Sequence, residues 1–152
     1  MPEAVTLHAS SVALDDAGIL IEGPPGSGKS DLVLRLIDEP GYGFGNHVLR
    51  GRLVSDDRTA IERRGEVLFA SSPKPISGLF EIRGQGLVKV DHLPEVKLVL
   101  AVKLLPATEI ERMPEETFRQ IAGIALRQIG IDASQASASA RIRAALTSVV
   151  HA

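Results

Sequence analysis

The chain has 152 residues, a formal net charge of −2 and no cysteine. This length is that of one ordinary domain, over residues 1–152, and the near-neutral charge argues against nucleic acid or an anionic membrane as a partner. The lack of cysteine excludes disulfides and thiolate metal sites, and neither a bilayer-spanning apolar run nor a signal-peptide pattern is present, so we expect a cytoplasmic protein.

The first predicted elements are β-strands. Residues 5–14 have the composition of a strand, residues 15–18 form a turn, and residues 18–21 are a short apolar run typical of a buried strand. His8 lies in the first of these segments. On pattern alone, a single histidine in a strand is usually structural or solvent-exposed.

The next stretch fits the phosphate-binding pattern G-x-x-x-x-G-K-[ST]. Its residues are Gly23, Pro24, Pro25, Gly26, Ser27, Gly28, Lys29 and Ser30. An apolar strand precedes the motif and a helical stretch, residues 31–37, follows it, which is the context that a P-loop needs. In such a loop Lys29 reaches the β- and γ-phosphates and the Ser30 hydroxyl joins the shell of a Mg²⁺ ion. The alternative is a glycine-rich turn that only caps a helix.

A pair of aspartates follows the next predicted strand. The helix should end near residues 39–41, a glycine-rich connection spans residues 41–46, and residues 47–55 predict a strand. Asp56 and Asp57 come directly after it, where an open α/β sheet places its ligand chemistry. One carboxylate can support the metal or the lysine while the other faces an acceptor. The alternative is a polar turn in a hairpin that continues into residues 59–62.

A second charged stretch occurs in residues 78–90, after a strand at 66–70 and a turn at 73–75. Glu81 and Arg83 are predicted to share a strand face, and two glycines follow that permit a sharp bend close to a ligand. Each charge taken alone is typical of a surface salt bridge. The combination favours a site.

The remaining segments complete an α/β pattern. Residues 95–105 predict a central strand that ends at a proline, and residues 109–114 a charged connector. The later predicted elements are a short helix starting at 114–117, an edge strand over 125–132, and a terminal helix over 141–146 that residues 133–140 lead into.

These landmarks, in this order, resemble the catalytic domain of the HPr kinase/phosphorylase family. That family combines a P-loop with an L-V-A-D-D-R-like strand end and the signature E-[IV]-R-G-x-G-[IL]-[IV]. The counterparts here are residues 23–30, 53–58 and 81–88. The P-loop is generic, whereas the third motif in this order is specific. The resemblance covers nearly all of the chain and implies a P-loop kinase-type α/β domain with a mixed central sheet flanked by helices.

The resemblance also implies roles for individual residues. His8 matches the active-site histidine of the family, against the interpretation from pattern alone. Asp57 matches the base that takes the proton from a serine hydroxyl of the protein substrate, and Asp56 supports it, although the sequence leaves open which of the two is the base. Glu81 matches a Mg²⁺ ligand beside Ser30.

Two arginines are implied as well. Arg83 lies in the same signature as the glutamate, and Arg112 matches the arginine of the family's D-R-L-G segment. With ATP and Mg²⁺ as donor and cofactor, the implied activity is phosphorylation of a serine of HPr or a related phosphocarrier of the phosphotransferase system. The resemblance further implies a homo-oligomer, a hexamer in the family.

Three departures from the family pattern qualify this prediction. The position of His8 implies that the family's amino-terminal domain is absent, and the glycine-rich loop at 41–46 is longer than usual. The basic segment V-P-V-R-P-G-R-N, linked in the family to phosphorolysis of phosphoserine, aligns with residues 130–137, which contain no arginine. We therefore predict mainly kinase activity, with phosphorolysis reduced or absent. The alternatives are a P-loop kinase for a small metabolite and a non-catalytic nucleotide-binding regulatory module.

Overall fold

A computed structural model describes residues 4–73 and 78–148 of the chain. This part contains eleven strands, two α-helices and one 3-10 helix over Ala107–Glu109. In chain order the elements are β1 (Ala4–Leu7), β2 (Ser10–Leu14), β3 (Ala17–Glu22), α1 (Lys29–Asp38), β4 (Gly51–Ser55), β5 (Thr59–Arg64), β6 (Val67–Ser71), β7 (Leu79–Ile82), β8 (Gly86–Lys89), β9 (Glu95–Leu104), β10 (Thr117–Ile121), β11 (Ile124–Ile131) and α2 (Ala138–Thr147). Neither described α-helix is long and apolar enough to cross a membrane.

Nine of the strands form one mixed sheet, with the order β1-β5-β6-β9-β3-β2-β4. Strand β11 also pairs with β9, and β10 pairs with β11. Strands β3 and β11 run parallel to β9, and the other pairs in this sheet are antiparallel. Strands β7 and β8 form a separate hairpin. The prediction of a mixed central sheet is confirmed.

A bulge in β9 allows this sheet to curl. Gly18 pairs with Leu98 and Ile19 pairs with Leu100, so that Val99 is left over between the two pairs. Leu98 therefore faces one apolar layer and Leu100 the other, although they are two residues apart. An extra residue in one strand bends that strand and increases its twist. The first half of β9 can thus pair with β6 while its second half pairs with β3 and β11.

Both helices pack on the same face of the sheet. Leu32, Leu36 and Ile142 join one buried cluster with sheet residues such as Ile21 and Val102. The second buried cluster, within the described residues, is built from strands and the loops next to them. The sheet is flanked by helices as predicted, but only on one face, because its curled part covers the other.

Several predicted elements occur where expected. The strands before the P-loop, the helix after it, the central strand at 95–105 and the terminal helix are confirmed, while residues 8–9 divide the first predicted strand into β1 and β2. The loop at 41–46 contains turns and bends and one bridge, from Gly41 to Leu49. The turn predicted at 73–75 extends into residues that the structure does not describe.

Two predicted elements are wrong, and the alternative of a hairpin across the aspartate pair is excluded. Residues 114–116 have no regular structure and Thr117 begins β10, so the short helix is absent. Strand β11 is not an edge strand, since it lies between β9 and β10. Strands β4 and β5 do not form a hairpin with each other, because β4 pairs with β2 while β5 pairs with β1 and β6. The alternation of apolar and polar residues, together with flanking turn residues, identifies a strand. Which strand it pairs with depends on how the apolar layers of the fold pack together.

Candidate active site

The P-loop connects the end of β3 to the start of α1 and is tightly packed. Gly26 and Gly28 have φ angles of 81° and 91°, which favour glycine. A Cβ atom at Gly23 would lie 2.5 Å from Ser27 Oγ and 2.9 Å from the Cβ of Leu104. Helix α1 begins without a side-chain cap. Its first N–H groups are therefore available to an anion at the positive end of the helix dipole.

One buried hydroxyl supports this interpretation of the loop. Within the described residues, Ser27 Oγ is buried and has no hydrogen-bond partner. A buried polar atom without a partner costs free energy, and a phosphate oxygen in the loop would remove that cost. The P-loop residues therefore fit a nucleoside triphosphate.

The P-loop lysine points towards the aspartate pair. Lys29 Nζ lies 3.7 Å from Asp57 Oδ1, and the side chain of Lys29 is 14% exposed while that of Asp57 is 68% exposed. Asp57 has a φ of 64°, and its amide donates a hydrogen bond of 3.0 Å to Ser10 Oγ. The structure thus brings the phosphate-binding loop and a solvent-accessible carboxylate together from separate parts of the chain.

The neighbouring carboxylate lies in a different environment. Asp56 is half-buried, and its Oδ2 accepts a long hydrogen bond of 3.4 Å from the amide of Glu81. Burial raises the pKa of Asp56, and the negative charges of Asp57 and Glu81 raise it further, against the opposing effects of the Glu81 amide and Lys29. Asp56 is therefore easier to protonate than an ordinary aspartate.

The β7–β8 hairpin completes a pocket of about 320 Å³ beside this pair. Phe80 is buried in the core, so the adjacent Glu81 points outwards in the alternation of the strand. The pocket is lined by Asp56, Asp57 and Arg58 on one side and by hairpin residues, including Glu81 and Leu87, on the other. This is a cleft with carboxylates on its wall, next to a phosphate-binding loop.

The oxygen donors of the site suit a magnesium ion. Within residues 4–73 and 78–148 there is no cluster of three or more His, Asp or Glu side chains that could hold a metal by itself. Mg²⁺ does not require one, because it is commonly held by one or two carboxylates together with water and substrate phosphates. The Ser30 hydroxyl and the carboxylate of Glu81, with Asp56 beside it, fit that description.

The other predicted site residues lie at different places. His8 is exposed between β1 and β2, close to the aspartate loop because Leu7 pairs with Thr59 and Ser10 contacts Asp57. The prediction that Arg83 shares a strand face with Glu81 is wrong. Strand β7 ends at Ile82, and Arg83 lies in the hairpin turn because the following glycines adopt positive φ.

Arg112 is exposed in the connector that follows β9. This connector starts at the sheet edge that carries the P-loop, since β9 and β3 are parallel. No hydrogen bond or ion pair within the described residues joins Arg112 to Lys29 or Asp57. The connector of Arg112 thus begins at the edge of the site, and the described contacts do not join Arg112 to it.

Sequence reasoning missed three features of the site. Ser10 has only a weak signal in the sequence, since Ser10 and Ser11 are two adjacent hydroxyl residues in an otherwise apolar strand. Arg119 forms two hydrogen bonds, of 2.8 and 3.2 Å, to the carboxylate of Glu22 immediately before the P-loop. Arg35 donates to the carbonyl oxygen of Gln135 at 3.0 Å and also to that of Ala133.

The contacts of Arg35 attach residues 133–135 to the P-loop helix. Ala133 also lies against the loop, since a Cβ atom at Gly28 would be 2.9 Å from that of Ala133. Residues 133–135 thus lie directly beside the phosphate-binding loop.

Comparison with known proteins agrees with these landmarks. The family described as "HPr Serine kinase C-terminal domain" matches residues 1–149. The chain is 38% identical over 98 residues to the HPr kinase/phosphorylase of Clostridium botulinum, covering 64% of this chain and 29% of that protein. It is 34% identical over 116 residues to that of Chloroherpeton thalassium, covering 69% of this chain and 31% of that protein.

The fold agrees with a solved structure as well. The Hpr(Ser) kinase/phosphatase from Coxiella burnetii superposes with a TM-score of 0.76 and 24% identity, covering 93% of each chain. The region matched in the two relatives above is less than a third of their own length. Because the family match extends over almost all of the sequence, this chain belongs to the HPr serine kinase C-terminal domain family.

Proposed function

We propose that this chain is an ATP-dependent protein-serine kinase that phosphorylates a serine of HPr or a related phosphocarrier of the phosphotransferase system. The observation that carries the proposal is the approach of Lys29 Nζ to Asp57 Oδ1, at 3.7 Å. It brings a phosphate-binding cation next to a solvent-accessible base, as transfer from a triphosphate to an alcohol requires. Family membership and the names of the two relatives support the choice of substrate.

The reaction that we propose uses both halves of the site. The serine oxygen of the carrier forms a bond to the γ-phosphorus, the bond from that phosphorus to ADP breaks, and the serine proton passes to the carboxylate of Asp57. The P-loop amides and Lys29 hold the phosphates and stabilise negative charge as it shifts towards ADP. A Mg²⁺ ion held by Ser30 and the nearby carboxylates would supply further charge neutralisation.

The remaining site residues have subordinate roles in this proposal. His8, Arg83 and Arg112 are exposed, so their side chains are free to meet the carrier or the transferred phosphoryl group. Asp56 supports Asp57 in this proposal. Because the pKa of Asp56 is raised, Asp56 is less suited than Asp57 to form the ion pair with Lys29. Assembly into a homo-oligomer and a cytoplasmic location stay predictions.

The function is tested by phosphoryl transfer from labelled ATP, with Mg²⁺ and purified HPr. The wild type should label a serine of the carrier, whereas Asp57→Asn should lower the rate by about a hundredfold or more, as expected when a general base is lost. Asp16→Asn is the matched control, since Asp16 is exposed in the β2–β3 turn at the opposite edge of the sheet. ATP binding without transfer to the carrier would contradict the proposal and favour a regulatory module.

A finer part of the proposal concerns the reverse direction. The segment beside the P-loop, residues 130–137, has no arginine, so it offers no guanidinium to hold inorganic phosphate for attack on phosphoserine. We therefore expect little phosphorolysis. Serine-phosphorylated HPr should release little pyrophosphate when incubated with the enzyme, Mg²⁺ and phosphate, while the forward reaction proceeds under the same buffer conditions. Brisk pyrophosphate release would overturn this part.

A further inference from the structure

Four buried hydroxyl side chains lie behind the aspartate loop, residues 56–58. The described part of the chain has six buried polar or charged residues, and four of them, Ser10, Ser11, Ser55 and Thr59, belong to this group. Their relative exposures are 0%, 0%, 3% and 0%. Buried hydroxyls are unfavourable unless they are hydrogen-bonded, so such a concentration behind one short loop calls for a structural role.

Three of the hydroxyls fix the two ends of the loop. Thr59 Oγ1 donates to the carbonyl oxygen of Ala9 at 2.8 Å and lies 3.0 Å from Ser11 Oγ. Ser55 Oγ donates to the carbonyl oxygen of Arg58. The strand that enters the loop and the strand that leaves it are therefore both anchored, the second of them to the segment that opens β2.

The fourth hydroxyl contacts the centre of the loop. Ser10 Oγ accepts a hydrogen bond of 3.0 Å from the amide of Asp57. Asp57 has a φ of 64° and is one of only three non-glycine residues with positive φ in the described part of the chain. That conformation is unfavourable for a non-glycine residue and persists only where its surroundings impose it. Two hydrogen bonds impose it here: the bond to the buried Ser10 hydroxyl, and a 2.7 Å bond from the Arg58 amide to the Asp56 carbonyl oxygen that closes the turn around Asp57.

The position of the Asp57 carboxylate depends on this backbone conformation. The side chain of Asp57 is 68% exposed, and among the described residues its carboxylate approaches the ammonium group of Lys29. An exposed ion pair contributes little to holding a side chain in one place. The direction of the carboxylate is therefore set mainly by the backbone at Asp57, and the bond to Ser10 is the side-chain contact that holds this backbone.

We propose that Ser10 is a positioning residue for Asp57, whose buried hydroxyl holds the Asp57 amide in the left-handed conformation that directs the carboxylate towards Lys29. This inference rests on the proposed function, in which Asp57 is the base. Loss of the hydroxyl frees the Asp57 amide, lets the backbone relax towards a common conformation and moves the base out of line with the phosphate-binding loop.

The first test needs no enzymatic activity. Hydrogen exchange of the Asp57 amide, followed by NMR, should accelerate by about tenfold in Ser10→Ala, as expected for the loss of one net hydrogen bond. Ser139→Ala is the matched control, because Ser139 is equally buried but donates to Glu39, on the helical face of the sheet. Unchanged exchange at Asp57 in Ser10→Ala would overturn the inference. Should that variant fail to fold, Ser10→Cys keeps the volume and weakens the acceptor, and the same outcomes apply.

The second test separates positioning from general damage. With labelled ATP and HPr, Ser10→Ala should lower kcat by about tenfold while the KM for ATP stays unchanged, because the P-loop is intact. In the Asp57→Asn background the same substitution should have no further effect on the residual rate, since the group it positions is already lost. An equal loss in both backgrounds would overturn the inference.

The two tests also distinguish this inference from the proposed function. A wild type that transfers no phosphate to any carrier contradicts the function, while the exchange measurement still decides whether Ser10 holds the Asp57 backbone. An active kinase with unaltered exchange in Ser10→Ala contradicts the inference alone.

Discussion

Asp56 and Asp57 are adjacent in the sequence, yet the fold gives their carboxyl groups opposite environments. Asp57 faces solvent and Lys29, whereas Asp56 is half-buried under the β7–β8 hairpin with two other carboxylates nearby. Two carboxyl groups whose environments differ in this way can take different roles in one site, and burial makes Asp56 the one that is easier to protonate. The sequence alone left open which aspartate is the base. Exposure and the approach of Lys29 favour Asp57.

The environment of Asp56 predicts a stability that depends on pH. Its pKa in the folded state is raised above the ordinary value of 3.8, so the unfolded chain loses this proton first as the pH rises, and folding is then penalised. Asp56→Asn removes the ionisation and keeps an acceptor for the Glu81 amide. Urea unfolding should show this variant to be more stable than the wild type at pH 7, with a difference that shrinks as the pH falls towards 3.8. Asp16→Asn controls for the removal of one charge, and a difference that grows at low pH would contradict the prediction.

A buried guanidinium links the two helices. Arg143 of α2 is 1% exposed and donates to the carbonyl oxygens of Leu36, Glu39 and Leu49 at 2.9–3.2 Å. The last carbonyls of a helix have no partner within it, so Arg143 caps the end of α1 and also fixes the chain that leads into β4. This contact thus holds the C-terminal end of α1, the helix whose N-terminal end carries the P-loop.

We therefore expect Arg143→Ala to destabilise the fold strongly. Removing the side chain leaves buried carbonyl oxygens without donors and opens a cavity, which together should lower the free energy of unfolding by about 3 kcal/mol or more. Arg141→Ala on the same helix is the control. Arg141 is exposed and donates to Ser137 Oγ, so its removal should change stability by less than about 0.5 kcal/mol. Similar urea midpoints for the two variants would show that the cap is unimportant.

Local patterns predicted the elements of this fold better than their arrangement. The P-loop and the central strand follow from glycine spacing and an apolar run, which are local signals. The pairing partners of β4 and of β5 do not follow from local signals, because the loop between these two strands crosses from one part of the curled sheet to another. In the same way, the alternation in β11 predicts a strand but cannot show that β10 covers its edge. The hydrogen bond between the Asp57 amide and the Ser10 hydroxyl joins residues that are 47 positions apart in the sequence, so no local pattern predicts it or the positive φ of Asp57.

At the scale of the whole molecule, the P-loop is packed between parts of the sheet that are distant in the sequence. Leu104 at the end of β9 and Ala133 after β11 would both meet a Cβ atom placed on a loop glycine. Glu22, the last residue of β3, is held by Arg119 of β10. The loop therefore exists in its binding conformation only when the sheet is assembled. A ligand of this loop binds the folded chain and not the unfolded one, so it must stabilise the fold by mass action.

This coupling predicts the response of thermal unfolding to ATP. Above the dissociation constant, each tenfold rise in ATP with Mg²⁺ should add about 1.4 kcal/mol, or roughly 3 to 6 °C in Tm for a chain of this size. Gly23→Ala should abolish most of this shift, since its Cβ would collide with Ser27 and Leu104, whereas Gly45→Ala should keep it because the nearest atom there is 3.5 Å away. Asp57→Asn should also keep the shift, since we assign Asp57 to the acceptor side. If the Tm of the wild type does not change with ATP, or if Gly23→Ala shows the full wild-type shift, this loop does not hold the nucleotide.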